Sequence, residues 1–121
     1  MAAALPDETL RRLAAYYAAL PPAPGGDPAD TARGAAIARA GLPERGVPAC
    51  AQCHGPKEGQ RAAAYPILAG QPARVLLSQL AAFRDGTRGG TPYAPLMRTV
   101  AEHLPPEDAA AVAAYYAALD P

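Results

Sequence analysis

A chain of 121 residues has the length of one compact domain with a short appendage. Eleven basic residues balance eleven acidic ones, and no polybasic run occurs, which argues against nucleic acid or an anionic membrane surface as partner. Half of the residues are hydrophobic, but many of these are alanine, tryptophan is absent and a single phenylalanine stands beside six tyrosines. Such a core is thin, and a bulky apolar group not encoded in the sequence would help to fill it.

The N-terminal stretch "MAAALPDETLRRLAAYYAAL" places Leu10, Leu13, Tyr17 and Leu20 at helical spacing, and a helix is expected over 5–20. Asp7, Glu8, Arg11 and Arg12 interrupt its apolar pattern, so it reads as an amphipathic helix and not as a secretory signal. No apolar run approaches the about 20 residues that span a bilayer. Residues 21–30, "PPAPGGDPAD", stop this helix and form a linker. Asp30 or Thr31 can cap a second helix through "TARGAAIARAG" to about Gly41.

A looped segment follows, "LPERGVPACAQCHGPKEGQ", with at most one helical turn across Cys50 to His54. After "YPILAGQ", Pro72 suits a first helical position, and Leu76, Leu80 and Phe83 form one apolar stripe. Residues 86–95 read as a glycine-rich loop that delivers Leu96 and Met97. A last helix is expected from Pro105 or Pro106 to Leu119. Sustained alternation and β-branched residues are scarce, so the fold class is all-α.

Residues 5–22 align without gaps onto 104–121, and eleven of the eighteen pairs are identical, including all of "AAYYAAL". The resulting division is an extra N-terminal helix over 1–22, a linker over 23–29 and a main domain over 30–121. Shared alanine bias is the plain explanation of the repeat. The sharper one makes residues 5–20 the closing helix of a preceding, related domain. With that domain missing, Leu10, Leu13 and Tyr17 would be exposed and could promote self-association through residues 5–20.

Both cysteines and one of the two histidines fall within five positions, Cys50-Ala51-Gln52-Cys53-His54. C-x-x-C-H is the attachment signature of haem c. In a helical turn, positions i, i+3 and i+4 share one face, so two thiols can meet the two vinyl groups of one porphyrin edge beneath which the imidazole turns to the iron. A structural disulfide, a redox dithiol and a zinc site are the alternatives. The dithiol needs a strand-to-helix context, and zinc needs four ligands where this chain offers two cysteines, His54 and a distant His103.

With His54 as one axial ligand, the other soft donor is Met97, the one methionine besides Met1, 43 residues past His54. A His/Met pair raises the reduction potential and closes both axial positions. His103 competes, but near the last helix it reads as a surface residue.

These segments together resemble the class I bacterial cytochromes c, within them the c4-like and c-553-like proteins, over nearly all of 30–121. The likeness rests on "RGVPACAQCHGP", "YPILAGQPARVLLSQLAAFRDGTR", the methionine at 97 and "LPPEDAAAVAAYYAAL". It implies one covalent haem c with thioethers at Cys50 and Cys53 and axial ligation by His54 and Met97. It also implies a Pro66 carbonyl that accepts from the haem histidine, Leu68 packed on the haem, and Arg84 and Arg88 as candidates to neutralise propionates. Gly34 matches the small residue crossed by the closing helix, with Tyr115 or Tyr116 over it. Pro105 departs from the family's Ser or Asp helix cap.

The function implied is one-electron transfer in the periplasm between redox protein partners, without a small-molecule substrate; the export signal is missing from this chain. The alternatives are a haem domain of a larger redox enzyme, or a peroxidase or sensor whose methionine can be displaced.

Overall fold

The computed structural model describes residues 4–21, 31–56, 61 and 63–121. Among the described residues six α-helices follow one another: α1 (Asp7–Ala19), α2 (Ala32–Ala40), α3 (Ala51–His54), α4 (Ala73–Arg84), α5 (Ala94–His103) and α6 (Pro106–Ala118). Among the described residues the one β feature is an isolated bridge between Leu42 and Val47, closed around a 3-10 turn at Pro43–Arg45. The all-α expectation is met.

The frame is a crossing of α2 with α6, made possible by Gly34, which lies buried against the backbone of Ala111. Ile37, Ala38, Leu42, Val47, Leu104, Val112, Tyr115 and Tyr116 form the buried cluster at this crossing. Each larger side chain among them contributes about 1.5–3 kcal/mol by leaving water. Tyr115 stands over Gly34, whereas Tyr116 turns into the core beside Cys50. An ion pair braces the same crossing: Arg33 Nε donates to Asp108 at 2.9 Å. Asp108 is buried in the first turn of α6, where a carboxylate also complements the helix dipole.

Thr31 and Pro105 stand at the N-caps of α2 and α6, and neither helix receives a side-chain cap bond. The other cap candidate, Asp30, lies outside the described residues. Pro72, expected as the first helical residue, is instead the N-cap of α4, which begins at Ala73.

The one element absent from the sequence reading is α5. The loop expected over 86–95 ends at Tyr93, and Ala94–His103 form ten residues of helix with Ala94 and Ala101 buried. Pro95 falls in the first turn, where its missing N–H costs nothing. Met97 is therefore carried on a helix and not at the end of a loop. The helix packs on α4, which packs in turn on α6.

Helix α1 has no buried residue. Tyr16 and Tyr17 are 61% and 67% exposed, although their repeat equivalents Tyr115 and Tyr116 are both buried. Among the described residues, no helix is long and apolar enough to cross a membrane.

Candidate functional site

The segment from Gly41 to Ala49 prepares the turn that follows. Gly41 ends α2 at φ +71, and a Cβ there would meet the Val47 carbonyl, so the chain reverses tightly only with glycine. Leu42 and Val47 then exchange backbone bonds of 2.8 and 3.1 Å. This brings Cys50 to the start of α3, where His54 N–H donates to the Cys50 carbonyl at 2.9 Å. Cys50, Cys53 and His54 consequently share one face of a single turn, as the spacing requires.

Burial shifts the titration of Cys50 and His54. Desolvation pushes the Cys50 thiol up to about 11. A redox-active or metal-binding cysteine shows the opposite shift, towards thiolate, so the dithiol alternative loses support. Burial lowers the His54 pKa against the opposing bond to Pro66, and the Arg61 cation adds to the lowering. The imidazole is neutral. Its Nδ1 lies 2.9 Å from the Pro66 carbonyl, which can only accept, so Nδ1 carries the proton. Nε2 is left with a free lone pair, the tautomer an iron ligand needs.

Pro66 belongs to a loop fixed at both ends. Arg61 donates to the Tyr65 carbonyl at 2.6 Å, and Gly70 N–H donates to the Tyr116 carbonyl of α6 at 2.9 Å. Between them Leu68 is half-buried against the core. Tyr65 presents its ring edge-on to His54, centroids 5.9 Å apart, and packs on Tyr93 at 5.5 Å. Electrostatic repulsion from Cys53, then desolvation, then a hydrogen bond to Cys53 raise the Tyr65 pKa.

Met97 is half-buried on α5, one turn beyond Tyr93. Arg84 pairs with Asp85 at 3.3 Å on the surface. Arg88 donates to Gln79 at 2.7 Å and stacks over Phe83, 4.5 Å from the ring centroid. His103 is exposed and donates from Nδ1 to the Thr99 carbonyl at 2.7 Å. Sequence reasoning missed Tyr65 and Tyr93, whose contact spans 28 positions and is created by the fold.

The residues fit a large, flat, apolar group held beside α3. No residue of α4 is fully buried, although Leu76 and Leu80 pack on the core cluster, so the protein alone leaves this stripe half covered. The Tyr116 hydroxyl is buried with no hydrogen-bond partner, in a residue 1% exposed. A buried hydroxyl without a partner marks a place where another group belongs.

The cytochrome c family matches residues 31–120. This chain belongs to that family. As a member with one C-x-x-C-H motif, it carries one covalently bound haem c. It is c4-like. Cytochrome c4 of Thiocapsa roseopersicina is 42% identical over 118 residues, covering 95% of this chain and 61% of the relative. A thiosulfate dehydrogenase electron acceptor of Stutzerimonas stutzeri strain A1501 is 40% identical over 121 residues, covering 97% and 56%. Reduced recombinant cytochrome c4 from Pseudomonas stutzeri superposes with a TM-score of 0.83 at 35% identity, over 96% of this chain and 62% of that one. The cytochrome described here thus spans little more than half the length of the curated relatives it matches.

Proposed function

We propose that this cytochrome is a one-electron carrier, and that Cys50 and Cys53 form the thioethers while His54 and Met97 are the axial ligands. The bond from His54 Nδ1 to Pro66 carries the reading: within a C-x-x-C-H turn it orients a neutral imidazole with Nε2 free. Bound haem supplies the Fe(II)/Fe(III) couple. His54 and Met97 would hold the iron, and Leu68 with the α2–α6 core would cover the His54 side. With both ligands supplied by the chain, no coordination site would be left for a substrate, as a carrier requires.

The partners are redox proteins docking where the attachment turn reaches the surface. Beside it lies an open concavity lined by Arg39, Pro43, Gly46, Pro48, Ala49 and Gln52, of mixed polar and apolar character, suited to a brief encounter. The relative named as a thiosulfate dehydrogenase electron acceptor supports a dehydrogenase as donor. Attachment of haem c takes place across the cytoplasmic membrane, which supports a periplasmic location. The repeat and the exposed tyrosines support α1 as the closing helix of a preceding domain of the same kind.

Two measurements test the site. The intact mass of the matured protein should exceed that of the polypeptide by one haem, and the gain should survive acid-acetone extraction. The oxidised protein should show the weak far-red charge-transfer band of methionine sulfur on ferric haem. Absence of that band together with rapid carbon monoxide binding to the reduced form would favour the peroxidase or sensor reading.

A further inference from the structure

The Tyr65–Tyr93 contact is not needed for attachment, yet it joins the two halves of the site. Tyr65 sits next to Pro66 and its ring meets His54 edge-on, 5.9 Å between centroids at 63°. Its other side meets Tyr93, 5.5 Å away and tilted by 57°. Tyr93 is the N-cap of α5, and Met97 lies one turn farther along, its N–H directed at the Tyr93 carbonyl over 3.5 Å. Displacing Tyr93 therefore displaces the turn that carries Met97.

Beyond the packing of α5 on α4, few buried side chains among the described residues hold that turn. Leu96 is 58% exposed and Pro95 is exposed, leaving Ala94 as its buried residue. The chain leading in passes through Gly86 and Gly90 at φ +74 and +84, and a side chain at Gly89 or Gly90 would touch nothing. Tyr93 itself is 46% exposed, so burial alone does not pin its ring. The ring of Tyr65 does.

We propose that Tyr93 is a positioning residue for the axial thioether: its ring, seated on Tyr65, keeps the Met97 turn in register with His54 and so sets how readily an external ligand replaces the methionine. The proposal rests on the assignment of Met97 as ligand. The exchange it governs is a substitution without electron transfer, in which the iron–sulfur bond breaks and a bond from the entering donor to iron forms.

The experiment titrates the oxidised holoprotein with imidazole while following the far-red methionine band. Tyr93→Ala should bind imidazole about fivefold more tightly than wild type, the factor expected from losing one favourable aromatic pair. Tyr93→Phe, which keeps the ring, should titrate as wild type. If Tyr93→Ala does not mature, Tyr93→Leu makes the same comparison with an apolar, non-aromatic side chain. A wild-type protein without the band would remove the Met97 assignment itself, and this proposal with it. A wild type that has the band, with Tyr93→Ala and Tyr93→Leu titrating as it does, would overturn the positioning role alone. Equally tightened imidazole binding in Tyr93→Phe and Tyr93→Ala would also overturn it, by placing the effect in the hydroxyl.

Discussion

Gly34 and Ala111 meet backbone to backbone: a Cβ built on Gly34 would stand 2.1 Å from the Ala111 carbonyl oxygen and 2.7 Å from the Tyr115 Cβ. Neither obstacle is the far end of a flexible side chain, so the helices must part to admit a methyl group. Gly34→Ala gains about 1 kcal/mol of helix propensity and loses about 3 kcal/mol or more to overpacking. The steric term wins. Denaturant unfolding of the holoprotein should show a net loss of about 2 kcal/mol.

How much of this was legible beforehand follows from which physical signals are local. Helices α1, α2, α4 and α6 show in the sequence because their apolar residues recur at helical spacing. Helix α5 carries the same signal in Ala94, Met97, Ala101 and Leu104, but Gly89, Gly90, Pro92 and Pro95 around its start made the stretch read as loop. A proline in a first turn is compatible with a helix, and Pro95 stands in the first turn of α5. The attachment motif is five contiguous residues and was fully visible. The choice of Tyr115 over Gly34 and the Tyr65–Tyr93 contact depend on helix rotation and on long-range packing, which no local pattern encodes.

Tyr116 offers a test of what fills the space beside Cys50. An unpartnered buried hydroxyl costs about 1–3 kcal/mol, so if it stayed without a partner in the holoprotein, Tyr116→Phe would stabilise. A hydroxyl that meets the bound group should instead make Tyr116→Phe destabilising by about 1 kcal/mol. We expect the loss, measured by urea unfolding at neutral pH.

The same residue sets an alkaline limit. Burial raises the Tyr116 pKa above the ordinary 10.0. The folded chain therefore holds the phenol neutral at pH values where the unfolded chain has released its proton. This contribution to stability is complete below about pH 10 and is lost as pH rises beyond it. Unfolding curves for wild type should weaken above that pH, and Tyr116→Phe should flatten the decline.

Deletion of residues 1–22 addresses α1. Leu13, Tyr16, Tyr17 and Leu20 are all exposed, and the helix contributes no buried residue to the remainder. The shortened holoprotein should keep its visible spectrum unchanged while self-associating less. Light scattering before and after deletion decides it: a monomer in both cases would show that the exposed stripe does not seek a second copy.

Met97 is the residue whose replacement most directly separates carrier from ligand binder. Thioether sulfur is a poor donor to ferric iron relative to imidazole, so His/Met ligation favours the reduced state and raises the potential. Axial ligands as a set move haem potentials across roughly 0.8 V. Met97→His should lower the midpoint potential by a substantial part of that range and abolish the far-red band while keeping both axial positions filled. Met97→Ala should also lose the band, but it opens one face, so the reduced protein should bind carbon monoxide rapidly where Met97→His does not. His103 lies at the exposed end of α5, with Nδ1 donating to the Thr99 carbonyl. If Met97→Ala retained the wild-type potential and resisted carbon monoxide, another residue would occupy the sixth position and the ligand assignment would fall.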